Sequence, residues 1–215
     1  MSGEIQVIDL GVGNLGNVAR ALAAAGGQPR LTSDPEEIRR ARRLLLPGVG
    51  AFRPPRERLR GTLEAALRAA LADGAWLLGI CVGYQLLFES STEFGELDGL
   101  ALLPGRITEL PAGVPRPHIG WNRIVPRRAH PLLDGIDSGS YVYYVHSYAA
   151  DAGADGAALA TTRHGRTFAA VAGGSAAAGS GRVFGAQFHP EKSGATGLRF
   201  LANFLALATE GTSWS

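Results

Sequence analysis

Apolar and polar positions along the first half of the chain follow two spacings in turn. Ile5 to Leu10 is a short apolar run rich in β-branched residues, and Asn14 to Ala25 has helical composition closed by Gly26-Gly27; together they predict a strand and then a helix. Arg30 to Thr32 reads as a weak second strand. Asp34-Pro35-Glu36-Glu37 carries the signals of a helix start: a capping Asp, Pro at the first position and acids in the first turn. Leu44-Leu45-Leu46 predicts a third strand, stopped by Pro47-Gly48. From Arg56 to Ala72 the spacing predicts one amphipathic helix, with Leu59, Leu63, Leu67 and Leu71 four apart on one face. Trp76 to Cys81 predicts a fourth strand, and Tyr84 to Phe88 opens another helix. Strands alternating with helices imply a parallel sheet covered on both faces.

The second half changes character. Gly105 to Leu110, Asn122 to Val125, Tyr141 to Val145, Ala157 to Thr162 and Phe168 to Val171 read as shorter strands joined by turns, which an antiparallel extension of the sheet would accommodate. Val183 to Phe188 predicts a further strand, and a C-terminal helix is expected from about Ala195 to Ala208. Gly173 to Gly181 is small and polar and reads as a flexible loop. No internal repeat is present.

Composition narrows the classes. The chain has 215 residues, 46% apolar and 19% charged, the balance of one folded domain with its own core. The formal net charge is +2, and no basic run with interleaved aromatics suggests nucleic acid. No apolar stretch reaches the length of a membrane span. Met1-Ser2-Gly3-Glu4 lacks a basic leader segment, and the single cysteine excludes an internal disulfide; both fit a cytoplasmic protein in a reducing compartment. With one Cys and no H-E-x-x-H segment, no metal site or cofactor is expected.

The most informative residues are Gly79-Ile80-Cys81-Val82-Gly83, where an apolar strand meets a helix start. The G-x-C-x-G pattern is that of a nucleophile elbow, whose glycines permit a sharp turn that lifts the nucleophile above the sheet edge. The helix start puts partial positive charge beside the thiol, and the Val82 N–H points toward an oxyanion formed on an attacked carbonyl. A buried structural cysteine is the plain alternative. A base is available in His189-Pro190-Glu191 at the end of the strand Val183 to Phe188. In extended chain, residues two apart share a side, so Glu191 could orient His189 for a thiol proton. His118 and His146 are rivals for that role, while His130 and His164 sit in polar, turn-like sequence and read as exposed. Gly11-Val12-Gly13-Asn14-Leu15-Gly16, with Asp34 downstream, is a literal G-x-G-x-x-G followed by a candidate ribose acid; a dinucleotide-binding domain is therefore a competing reading, though it leaves the elbow and the His-Pro-Glu segment unexplained.

Taken together the segments resemble the class I (triad-type) glutamine amidotransferases. Within that class the chain is similar to the family of glutaminase subunits of imidazole glycerol phosphate synthases. The resemblance rests on Gly13-Asn14-Leu15-Gly16-Asn17, Pro47-Gly48-Val49-Gly50-Ala51-Phe52, the elbow with Tyr84-Gln85, Pro117-His118-Ile119-Gly120-Trp121-Asn122, Tyr144-Val145-His146-Ser147-Tyr148 and Gln187-Phe188-His189-Pro190-Glu191-Lys192-Ser193. One departure is Tyr84, where the family more often has Met.

The resemblance implies a single three-layer, flavodoxin-like α/β domain over 1–215, its central sheet mostly parallel with an antiparallel extension and its last few residues a flexible tail. It implies Cys81, His189 and Glu191 as the catalytic residues and the backbone of Val49 and Val82 as the oxyanion hole. Gly48, Gly50, Gln85, His146, Ser147 and Tyr148 would line the glutamine pocket. The implied partner is a (β/α)8-barrel cyclase subunit in a 1:1 heterodimer, with Asn14, Trp121, Tyr143 and Lys192 near the interface. Amidotransferases of another synthase are the nearest alternative.

Overall fold

The structure is a computed structural model that describes residues 3–153, 156–175, 179 and 181–207. In chain order its strands are β1 (Glu4–Ile8), β2 (Gln28–Thr32), β3 (Arg43–Leu46), β4 (Trp76–Ile80), β5 (Ser90–Ser91), β6 (Leu97–Asp98), β7 (Arg106–Glu109), β8 (His118–Arg123), β9 (Val125–Pro126), β10 (Tyr141–His146), β11 (Tyr148–Ala150), β12 (Ala158–His164), β13 (Arg166–Gly173) and β14 (Val183–Ala186). The helices are α1 (Leu15–Ala24), α2 (Pro35–Arg40), α3 (Arg53–Leu59), α4 (Thr62–Ala72), α5 (Val82–Gln85) and α6 (Gly194–Leu207).

An eight-stranded sheet has the order β2-β1-β3-β4-β14-β13-β12-β9. Its first five strands are parallel, and β13, β12 and β9 extend it antiparallel. Alternation along the buried strands assigns the two faces. Ile5, Val7, Leu45, Trp76, Leu78 and Ile80 join the cluster that includes Leu22 of α1 and Phe200 and Phe204 of α6. Ile8, Leu44, Leu46 and Leu77 point the other way, toward Ile38, Phe52, Leu59 and Leu67 of the segments on the opposite side. Period-2 strands between two helical layers give three layers. Beside the main sheet stand the antiparallel pair β8/β10 and the four-stranded sheet β11-β7-β5-β6.

Local chemistry sets the helix starts. Asn14 accepts from the N–H of Asn17 ahead of α1, and Asp34 accepts from the N–H of Glu36 at 2.9 Å ahead of α2, with Pro35 at its first position. Asp34, read in the competing interpretation as a ribose acid, serves here as a helix cap.

Several expectations need correction. The stretch from Arg56 to Ala72 is not one helix. The chain leaves α3 at Arg60 and turns at Gly61, with φ +82°, before α4 starts. The leucine spacing continues through the break, so periodicity alone did not reveal it. The helix expected over Tyr84 to Phe88 is the single turn of α5, and the strand expected over Asn122 to Val125 is the end of β8 followed by β9. The tail and part of the Gly173–Gly181 loop lie outside the described residues.

Candidate active site

Three neighbouring parallel strands end side by side. In register, Leu46 of β3 faces Gly79 of β4, and Gly79 faces Gly185 of β14. The Pro47–Gly50 loop, Cys81 and the segment carrying His189 therefore leave one carboxyl edge, where ligands of open α/β sheets bind.

Cys81 stands at φ +53° and ψ −109°, a strained backbone for a residue with a side chain, costing about 1–3 kcal/mol. The surroundings hold it there. Its N–H donates to Ala186 O at 2.8 Å, and its carbonyl accepts from the N–H of Gln85 at 3.0 Å. The elbow glycines are required by close approach: a Cβ on Gly83 would collide with Leu46 O, and one on Gly79 would lie 2.7 Å from Gly83 O. Tyr84 points away from the nucleophile, fully buried, with its hydroxyl donating to Ala169 O at 3.0 Å. Its departure from the family pattern is thus accommodated in the core. Because α5 spans four residues, its N–H groups act on Cys81 locally, without a long helix dipole behind them.

His189 and Glu191 meet, but not in extended chain as expected: Pro190–Lys192 is a 3-10 turn that folds Glu191 back to the ring. His189 Nδ1 lies 2.7 Å from Glu191 Oε1, and the two side chains are 2% and 3% exposed. With Nδ1 donating to the carboxylate, the interaction of the Cys81 thiol with the ring falls to Nε2, which has no well-formed hydrogen bond among the described residues. Burial alone would lower the imidazole pKa; Cys81 and Glu191 outweigh it and raise the pKa to about 10. The turn is clamped from β10. The His189 N–H donates to Tyr143 O at 2.9 Å, the Tyr143 N–H donates to Ser193 Oγ at 3.0 Å, and that hydroxyl donates to His189 O at 2.6 Å.

The loop expected to supply the oxyanion hole meets the elbow through a carbonyl. The Val82 N–H donates to Gly48 O at 3.4 Å. Val49 is 38% exposed, and Gly50 adopts φ +83° with open space around it. The loop's far end is held by Glu93, which accepts from the N–H of Phe52 at 2.7 Å. Sequence reasoning missed Glu93, because a carboxylate 41 residues away gives no local signal.

Gln85 is buried, and its amide donates to Tyr148 O at 2.9 Å and Gln187 Oε1 at 3.1 Å. Tyr148 and Ser147 are half-buried. His146 is different: it is 6% exposed, its Nδ1 is 2.9 Å from Tyr148 O, and its Nε2 is 3.0 Å from His118 Nδ1. Neither His146 nor His118 is placed as a rival base, since each ring is committed to its neighbours. His130 and His164, expected to be exposed, are half-buried; His130 accepts from the N–H of Leu132 at 3.1 Å, and His164 stacks on His118.

Three of the expected interface residues, Trp121, Tyr143 and Lys192, share one surface. Trp121, 55% exposed, meets the Tyr143 ring edge-on at 6.0 Å between centroids, and Lys192 Nζ lies 5.5 Å from that ring. Asn14 is exposed at the head of α1, which packs against the turn Pro190–Lys192. Among the described residues no group of three or more His, Cys, Asp or Glu is placed to hold a metal ion, and no helix is long and apolar enough to cross a membrane.

Comparison with known proteins gives this geometry a family. The profile of the family described as glutamine amidotransferase class-I matches residues 6–208. The imidazole glycerol phosphate synthase subunit HisH of Natronomonas pharaonis is 45% identical, with 96% of each chain covered. The subunit of the same name from Salinibacter ruber is 46% identical, with 94% of each chain covered. Among solved structures, a crystal structure of a glutamine amidotransferase superposes with a TM-score of 0.73 at 20% identity, covering 95% of this chain and 98% of that one. PurLQS from Thermotoga maritima gives 0.73 at 18% identity, covering 96% and 99%. At such identities the solved structures show the fold alone.

Proposed function

The chain belongs to the class I glutamine amidotransferases, and from that premise we propose that it is the glutaminase subunit of an imidazole glycerol phosphate synthase, with Cys81 as nucleophile. The observation that carries the reading is a strained Cys81 facing a buried His189–Glu191 pair at the carboxyl edge of a parallel sheet. A cysteine, a base and a group that orients the base are what attack on an amide carbonyl requires.

The geometry supports the following steps. Glu191 accepts the hydrogen bond from Nδ1–H and holds the ring with Nε2 toward the thiol. His189 holds the proton that Nε2 shares with the thiol as Cys81 Sγ attacks the side-chain carbonyl of glutamine, and the carbonyl oxygen becomes an oxyanion. The N–H of Val82 receives that charge once Gly48 O withdraws, with a second N–H from Val49. Collapse of the tetrahedral adduct breaks the C–N bond. His189 gives its proton to the departing ammonia, and a γ-glutamyl thioester remains. Water, deprotonated by His189, then hydrolyses the thioester and releases glutamate.

The ammonia would pass to a partner, since the curated relatives are named as subunits of a synthase. In our reading that partner is a (β/α)8-barrel cyclase bound 1:1 in the cytoplasm across the surface of Asn14, Trp121, Tyr143 and Lys192. A diazoketone analogue of glutamine tests the assignment of the nucleophile. Peptide mass mapping should find the label on Cys81 alone; a label elsewhere, or none with an active protein, would refute it.

A further inference from the structure

Three histidines distant in sequence meet between β8, β10 and the end of β12, and the hydrogen bonds among two of them have a direction. His146 Nδ1 lies 2.9 Å from Tyr148 O. A carbonyl only accepts, so Nδ1 carries the proton and Nε2 holds a lone pair. His118 Nδ1 is 3.0 Å from that Nε2 and must donate to it. The remaining nitrogen, His118 Nε2, then accepts from the Asn122 amide at 3.1 Å. Asn122 gives its other proton to Arg163 O at 3.1 Å, and its Oδ1 accepts from the N–H of Arg123 at 2.7 Å. Every donor faces an acceptor from Asn122 to Tyr148 O.

Packing fixes the rings. His118 lies between stacked Tyr144, at 4.8 Å, and His164, at 4.1 Å, and His146 meets Phe168 edge-on at 5.0 Å. A second proton on either ring would set donor against donor. Consistent with this, burial lowers the His118 pKa to about 4 and the His146 pKa to about 3.

The chain ends where the amide pocket begins. Tyr148 O accepts from both His146 and Gln85, so the position of one bond constrains the other. It starts on β8, where His118 and Asn122 face inward while Ile119 and Trp121, 61% and 55% exposed, face outward. We propose that His118 and His146 are positioning residues for the glutaminase reaction: the one-way chain Asn122→His118→His146→Tyr148 O fixes the Tyr148 carbonyl and Gln85 on the wall that receives glutamine. This places His146 behind the wall, acting through Tyr148, and ties the wall to the strand that carries the exposed Trp121. The inference rests on the glutaminase reading.

Two measurements test it. In the first, ¹⁵N-histidine NMR of the intact protein identifies the protonated nitrogen of each ring, with His118→Asn and His146→Asn spectra for assignment. Both rings should be neutral Nδ1–H tautomers near neutral pH; an Nε2–H tautomer at either position overturns the proposal. The second is steady-state glutamate release with the loaded cyclase barrel present. His146→Leu, which lacks the donor, should raise KM for glutamine roughly tenfold with kcat within about threefold, the scale of one lost hydrogen bond. His146→Asn, which offers an amide N–H near the place of Nδ1–H, should recover most of the loss. Equal behaviour of the Leu and Asn variants, or a wild-type KM in both, overturns it. If the Leu variant does not fold, the tautomers decide. An inactive wild-type protein would count against the glutaminase reading instead, and the tautomers would still decide the direction of the chain.

Discussion

The backbone N–H of Val82 donates to the carbonyl of Gly48 across 3.4 Å. That N–H is the donor the mechanism assigns to the oxyanion, so in this state a protein carbonyl stands where negative charge must develop. The bond is long and correspondingly weak. It joins the elbow to a loop whose next residues, Val49 and Gly50, are exposed and uncrowded. A rotation of the loop that removes the Gly48 carbonyl would free Val82. On the proposed mechanism, Cys81, His189 and Glu191 are in place while the Val82 N–H is occupied, the arrangement expected of a hydrolase whose turnover waits on a signal.

Cys81 is the only cysteine in the sequence. Cys81→Ala should lower glutamate release by about 10³-fold or more, the scale for loss of a covalent nucleophile. The variant should keep its fold, because alanine removes only the sulfur from the site. Turnover within tenfold of wild type in a glutamine hydrolysis assay would exclude Cys81 as nucleophile.

His189 makes stability depend on pH. Its pKa rises from about 6.5 in the unfolded chain to about 10 in the folded one. The imidazolium therefore contributes stability that is complete below 6.5 and lost as pH climbs through 10. Thermal unfolding should show Tm falling across that window. Glu191→Gln removes the paired carboxylate and should flatten the fall; parallel curves for the two proteins would contradict the assignment.

Gly83→Ala should destabilise the protein by about 3 kcal/mol, the upper range for overpacking, since its Cβ would meet Leu46 O and neither backbone can yield without moving the elbow. Urea unfolding measures this directly. An unchanged midpoint would mean that the elbow tolerates a side chain there.

Away from the site, Arg56 and Glu64 form an ion pair at 2.7 Å, with side chains 8% and 18% exposed, and Arg68 reaches the same carboxylate at 2.9 Å. Burial works to raise the Glu64 pKa, but the two arginines lower it further than burial raises it. The carboxylate thus adds stability present above its unfolded pKa of about 4.5 and lost as pH falls below it. Glu64→Gln should cost about 3 kcal/mol at neutral pH and weaken acid sensitivity, because it leaves Arg56 buried without its counter-charge. Equal stability of the two proteins in urea would show that the pair contributes nothing.

Much of this was legible in the chain because the signals are local. A G-x-C-x-G at a strand end forces the elbow, and the two-residue spacing pairs His189 with Glu191, although a 3-10 turn over Pro190–Lys192, not extended chain, makes the pair. The parallel half was readable from alternation, since each strand and its helix are contiguous. What escaped depends on distant pairing. His118 and His146 meet because they are partners in the β8/β10 register, and no periodicity announces that. Glu93 reaches the Phe52 end of the loop after β3, and Gly48 reaches Val82, through tertiary contacts alone. Gly61 breaks a helix inside an unbroken leucine pattern. There a backbone turn overrides a correct reading of the apolar face.

The most direct test is the rate of glutamate release by the pure protein, first alone and then with a cognate cyclase barrel carrying its nucleotide ligand. Release should be weak alone, while Gly48 O occupies the Val82 N–H, and rise by about 10² or more with the loaded barrel, the scale of one recovered oxyanion donor. A rate already high alone and indifferent to the barrel would contradict the account.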